Sequence, residues 1–338
     1  MSIRYSLLTV AGAFLLAACG AEMAEAPEPE APAADAAQEE AAPAAEPAAE
    51  PAGDGGLPAR VVAERGGFIP EGVEYDQANG RLLTGSIAEG TIFEIHADGS
   101  MTAAVSDPEL GATIGIEADE PRDRLLVANS GGFGEAPGQA MLGVYSLTTG
   151  ERIAMVDLMA TLGELPEGAT VFANDVTVAE DGTVYATDTR MNVVYQVDGD
   201  YNASVMHAFE GIEGMALNGL VHHPDGYLLV ADLGNGGIYR IPVDDPAAAS
   251  EVSLPEPMSG ADGLVWDSAG NLVVVSNSSG MITALTSDDG WASATIAAVG
   301  LYEGQATTGA AVGDDIYIVH PFFQDPEALP IIERVTFQ

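Results

Sequence analysis

From residue 58 onward the chain repeats one unit six times. Each copy is a short strand, a turn rich in Asp, Asn and Gly, a strongly apolar strand, a loop and a further strand. The copies begin EGVEYDQANGRLLTGS at Glu71, IGIEADEPRDRLLVAN at Ile114, NDVTVAEDGTVYATD at Asn174, NGLVHHPDGYLLVAD at Asn218, DGLVWDSAGNLVVVSN at Asp262 and TGAAVGDDIYIVH at Thr308. Successive starts lie 43, 60, 44, 44 and 46 residues apart. A period in the forties with three or four strands per copy is the mark of propeller blades. One small sheet cannot bury both of its faces alone, whereas six packed about an axis can. The expected fold is therefore all-β: a six-bladed β-propeller of four-stranded blades over residues 58–338. IIERVTF ends the chain and leaves the last blade one strand short, while ARVVAER at 59–65 has no partner in the first blade. This N-terminal strand is expected to complete the last blade and close the ring, which leaves no open sheet edge at the seam.

In a propeller the first strand of each blade lines the central channel, so the aligned start positions cluster near one mouth. Around the ring they read Glu71, Ile114, Asn174, Asn218, Asp262 and Thr308. Glu71, Asn174, Asn218 and Asp262 form an all-oxygen set of two carboxylates and two amides. Hard oxygen donors of this kind suit Ca2+, and another divalent cation could take the same place. Histidine is absent from the set, which argues against zinc. The competing account is local: Asn-Gly, Asn-Asp and Asp-Gly are common turn pairs. Four oxygen-bearing side chains at one register, two of them acidic, favour the metal, because two close buried carboxylates repel without a cation.

Four stretches, PEGVEYD at 70–76, FANDVTVAEDGTVYATD at 172–188, LNGLVHHPDGYLLVAD at 217–232 and GADGLVWDSAGNLVVVSN at 260–277, resemble the signature segments of the senescence-marker-protein/gluconolactonase (regucalcin-like) family. The resemblance implies a six-bladed propeller with an axial divalent cation held by Glu71, Asn174, Asn218 and Asp262. It implies metal-dependent hydrolysis of a small-molecule lactone or related ester, with Asp262 as the catalytic residue, either activating water or attacking directly. Sugar-lactonase members carry Arg where this chain has Phe172, which implies a more apolar substrate-lining wall here. His320 ends the second strand of the sixth copy and is expected to line the substrate site at the same mouth. Two longer segments, 130–141 and 159–172, are expected to overhang it. The alternative is a non-catalytic propeller that serves as a binding or scaffold protein of the envelope.

The remaining calls concern location and partners. Arg4 precedes the apolar run SLLTVAGAFLLAA, and Leu16-Ala17-Ala18-Cys19 resembles a bacterial lipobox. The expectation is a lipoprotein signal peptide over 1–18, lipidation of Cys19 and a disordered Ala/Pro/Glu tether over 19–57, too poor in apolar bulk to fold. The protein would then be membrane-anchored through lipid alone, on the periplasmic side of the cell envelope, with the outer membrane favoured by analogy because Gly20 is not acidic. The formal charge of −42, with no lysine in the chain, excludes nucleic acid as a partner and removes any Schiff-base chemistry. A single cysteine excludes an internal disulfide. A monomer is expected.

Overall fold

The computed structural model describes residues 56–132, 138–212, 214–277, 279–325 and 327–338. The expected signal peptide, Cys19 and all but the last two residues of the expected tether lie outside the described residues. Within them the fold is all-β and propeller-like, with three short 3-10 turns as its only helical elements. No described helix is long and apolar enough to cross a membrane.

Four sheets have four strands each. The first holds Val73–Asp76, Arg81–Thr84, Thr91–Ile95 and Met101–Ser106. Another holds Leu217–His223, Tyr227–Asp232, Ile238–Pro242 and Ser250–Glu251, and the next Ala261–Trp266, Leu272–Ser276, Met281–Thr286 and Thr295–Leu301. The last joins Gly309–Val312, Asp315–His320 and Ile331–Val335 to the N-terminal strand Arg60–Val62, which pairs antiparallel with Ile331–Val335 through Val61↔Ile332.

The second and third repeats depart from the expectation of separate blades. Their strands form one eight-stranded sheet, because Val171–Val178 pairs in parallel with Gly138–Ser146 through Val171↔Gly138 and Phe172↔Gln139. The cause is the long spacing between these two repeats. The two additional segments end beside each other, and their backbone groups pair rather than stay open.

The turns account for part of the acidity. In the first repeat the Asp76 carboxylate accepts from the backbone N–H and the amide of Asn79 and from Nε of Arg81. Asp267 accepts from the N–H groups of Ala269 and Asn271. Short acidic side chains here complete turns that the backbone alone leaves open.

Apolar residues of the strands fill the gaps between neighbouring units. Leu83 and Ile92 of the first repeat pack with Ile116 and Tyr145 of the second. Tyr185 and Val194 of the third pack with Leu220 and Leu228 of the fourth. The sixth and first repeats share a cluster containing Tyr317, Ala310, Val73 and Tyr75. The six inner strands lie next to one another in the same order, and Gly309–Val312 neighbours Val73–Asp76.

Candidate metal centre and mouth cavity

The inner strands of repeats two to five each slip register at the same place. The shifts fall between Thr113 and Ile116, Ala173 and Val176, Leu217 and Leu220, and Ala261 and Leu264. The skipped pairs are Ile114-Gly115, Asn174-Asp175, Asn218-Gly219 and Asp262-Gly263. Asn218-Gly219 is thus a β-bulge inside a strand rather than a turn. A bulge breaks the alternation of side chains and re-aims one of them, here toward the space enclosed by the inner strands. The glycine has its own cause. A Cβ on Gly219 would fall inside van der Waals contact of the Asp262 carbonyl oxygen, and one on Gly263 would meet Thr308 in the same way. Neighbouring backbones approach too closely for a side chain. In the third repeat Asp175 takes the glycine position, and its carboxylate accepts from the Leu220 N–H at 3.1 Å.

The structure brings Glu71, Asn174, Asn218 and Asp262 together. They are 9, 5, 6 and 4 % exposed, and all four line both a channel cavity of about 340 Å³ and a mouth cavity of about 200 Å³ on its other side. They therefore form the partition between the two. Asn174 donates from Nδ2 to Thr189 Oγ1 at 2.6 Å, which leaves its oxygen uncommitted by that bond. Asp262 Oδ2 accepts from Nδ2 of Asn277 at 2.5 Å, and the Asn277 oxygen accepts from Nε2 of Gln305 at 2.6 Å. Thr307 fixes the backbone of Glu71 by donating to its carbonyl at 2.7 Å.

Electrostatics at this partition are strongly acidic. Burial, then the charges of Asp262 and Asp175, holds the Glu71 carboxyl well above its ordinary range. Burial likewise pushes Asp262 up to about 8, against hydrogen bonds from Asn277 and Asn218 and with repulsion from Asp175. Farther along the channel, burial raises Glu74 to about 8 and Asp175 to about 7, and lifts Glu117 well above the carboxylate range. The described residues lining the channel include no arginine. They hold no group of three or more His, Cys, Asp or Glu side chains placed to share one ion. The candidate set instead has two acids and two amides. Its donors are all oxygen, the charge of Asp262 raises the proton affinity of Glu71, and no arginine lines the channel beside it among the described residues. These features fit a divalent cation that prefers oxygen.

Phe172 lines the mouth cavity. His320 does not. It is buried against Glu333, with Nε2 3.1 Å from the carboxylate, and lines a different cavity with Tyr302 and Phe322. Glu333 comes from the neighbouring strand Ile331–Val335, where it also meets Arg60, and the histidine packs between that acid and the Tyr302 ring. Of the two segments expected to overhang the mouth, only Phe172 lines its cavity among the described residues.

Sequence reasoning passed over Asn277, Gln305 and Thr189. A signal for Asn277 existed. It stands at the end of its repeat's second apolar run, directly after Leu272–Ser276, at the position that Asn129, Asp188, Asp232 and His320 take in the aligned repeats. The carboxylate of Asp188 ties its loop at four points, accepting from the N–H groups of Phe172, Arg190 and Met191 and from the Tyr195 hydroxyl.

Fold and site together define a propeller-type protein with a buried cluster of two acids and two amides between its inner strands. The chain belongs to the SMP-30/gluconolactonase/LRE-like family, whose model matches residues 69–311. No curated protein matches it by sequence. Among solved structures it is similar to the major allergen Mala s 1 of Malassezia sympodialis, at 17 % identity and a TM-score of 0.69 over 83 % of this chain and 96 % of that one. It is similar to the calcium-binding protein regucalcin from Agrobacterium tumefaciens, at 17 % identity and a TM-score of 0.58 over 83 and 95 %. It is also similar to a gluconolactonase from Xanthomonas campestris, at 17 % identity and a TM-score of 0.56 over 83 and 90 %. At these identities the likeness concerns the fold.

Proposed function

We propose that the protein is a calcium-dependent hydrolase of lactones or related esters. In this reading its sheets are the six blades of a closed propeller, and lipid on Cys19 tethers it to the bacterial envelope. Family membership supports the reaction class, and the name of the regucalcin neighbour supports the ion. The observation that carries the proposal is the shared position of Glu71, Asn174, Asn218 and Asp262 between channel and mouth.

Those four residues would hold the cation. Bound there, it would polarise the substrate carbonyl oxygen and, as a nearby positive charge, lower the proton affinity of the acids. The chain's own part is then proton transfer and orientation. Asp262 is buried and oriented by hydrogen bonds from Asn277 and Asn218, and it lines the mouth where the substrate carbonyl would lie. A carboxylate whose proton affinity lies nearer neutrality than that of a free aspartate is suited to take a proton from water. The water oxygen bonds to the carbonyl carbon as its proton passes to Asp262. The ester C–O bond then breaks, the leaving oxygen takes the proton held by Asp262, and a lactone yields a hydroxy acid whereas an open-chain ester yields an acid and an alcohol. Phe172, Met215 and Leu233 give the mouth apolar walls, which favour a lactone or ester with a hydrocarbon body.

The test is turnover of a panel of aliphatic lactones and aryl esters by chelator-treated protein, before and after calcium is restored. Hydrolysis that disappears and returns with calcium is expected. A chain that binds calcium but turns over no member of the panel would be a binding or scaffold propeller instead.

A further inference from the structure

In a chain of net charge −42, arginines should find acids. Seven of the nine among the described residues do, forming ion pairs with Asp or Glu. Arg240 and Arg190 form none among the ion pairs of the described residues. Arg240 lies over the Tyr227 ring, its guanidinium carbon 4.2 Å from the centroid, and lines neither the channel nor the mouth. Arg190 is different: it lines the mouth cavity, as Glu71 and Asp262 do.

Its placement is built. The Asp188 carboxylate, already described, holds the N–H groups of both Phe172 and Arg190 at 3.0 Å and so fixes the two residues side by side. The guanidinium carbon of Arg190 lies 5.2 Å from the centroid of the Phe172 ring, which restricts the long side chain to one face of that ring. Its Nη1 is buried and has no hydrogen-bond partner among the described residues. Arg190 is also the only cationic side chain among the described residues lining the mouth, whose other walls are largely apolar.

We propose that Arg190 is a substrate-binding residue that selects lactones or esters carrying a carboxylate on an apolar body. The carboxylate would accept from the part of the guanidinium that lines the mouth, the hydrocarbon part would lie against Phe172 and Met215, and the scissile carbonyl would face Asp262. A planar guanidinium suits a carboxylate because it donates two parallel hydrogen bonds. This rests on the hydrolase reading for its kinetic arm only.

The experiment compares mono-para-nitrophenyl glutarate with para-nitrophenyl pentanoate, which differ in the terminal carboxylate. The readout is the ratio of their kcat/KM values in wild type, Arg190→Gln, Arg190→Lys and Arg240→Gln, in calcium. Arg190→Gln should lower the glutarate preference at least about tenfold, as expected for a lost charge-assisted hydrogen bond. Arg190→Lys should restore part of it, and Arg240→Gln should not change it. Calorimetric titration of the same calcium-loaded proteins with glutarate reads the site without turnover. It should show a matching loss of affinity in Arg190→Gln, even if neither ester is hydrolysed. An unchanged ratio together with unchanged glutarate affinity in a folded Arg190→Gln protein would overturn the proposal, leaving the arginine as packing over Phe172.

Discussion

Asn277 donates a 2.5 Å hydrogen bond from Nδ2 to Oδ2 of Asp262, and Gln305 in turn donates to the oxygen of Asn277. The chain Gln305–Asn277–Asp262 fixes which amide end faces the acid. It opposes the effect of burial on Asp262 and holds its Oδ2 in place. An oriented base contributes far more than a loose one, because misplacement of a reacting group by an ångström is expensive in rate.

Asn277→Ala should therefore lower kcat by roughly tenfold to a hundredfold, within the range of general base catalysis. It should also move the acid limb of the kcat/KM profile to higher pH, since one group that lowers the Asp262 proton affinity is gone. Gln305→Ala should give the same shift, but smaller. A pH–rate series on the two variants checks both. Loss of rate with no displacement of the profile would assign Asn277 to packing alone.

Gly219→Ala should destabilise the fold by about 1–3 kcal/mol, the usual cost of overpacking a close contact. The new methyl group meets the backbone of Asp262 and the following two residues, so the damage should reach the site. Thermal melting would show a lowered Tm, and calcium titration a weaker ion site. Gly226→Ala is a useful contrast. Nothing surrounds that position, so its penalty comes from its positive φ and should leave calcium affinity alone.

Much of this arrangement was legible because it repeats. Asn-Gly at 218 and Asp-Gly at 262 are weak signals singly, but in register across repeats they mark a shared geometry. The bulge was not legible. The same dipeptides make turns elsewhere, and only the packing of adjacent backbones decides between the two. The joining of the second and third repeats escaped for a similar reason. Gly138 and Val171 pair through main-chain groups, which leave no mark in side-chain pattern. His320 was misplaced because strand alignment locates the end of a strand but not the partner its side chain finds. Here Glu333 on the next strand captures it.

The channel predicts an unusual pH response for metal-free protein. Glu74, Asp175 and Glu117 all have their proton affinity raised, in each case first by burial. A raised folded-state value means that the native chain holds these protons more tightly than the unfolded chain. Their stabilising contribution is complete below the ordinary carboxylate range and is lost as pH rises through about 7 to 8 for Asp175 and Glu74. The Tm of chelator-treated protein should fall from about pH 6 to about pH 9, with a shallower fall in Glu117→Gln. A flat or rising Tm over that window would contradict the assigned burial of charge.

Phe172→Arg should change what the mouth accepts. It removes the ring beneath Arg190 and sets a second guanidinium in the same cavity. Relative kcat/KM should move from aliphatic lactones toward polyhydroxylated ones, whose hydroxyl groups can accept hydrogen bonds. Comparison of one lactone from each class in both proteins decides it, and an unchanged preference would remove Phe172 from the determinants of specificity.

The most direct test of the account is calorimetric calcium titration of chelator-treated wild type beside Glu71→Gln and Asp262→Asn, with folding of each verified by circular dichroism. The account predicts a saturable site in wild type, weakened at least tenfold in each folded variant, because each loses one of only two carboxylates in the donor set. Calcium affinity equal to wild type in both folded variants would contradict it, since the ion would then lie elsewhere and the four side chains between channel and mouth would have no shared task.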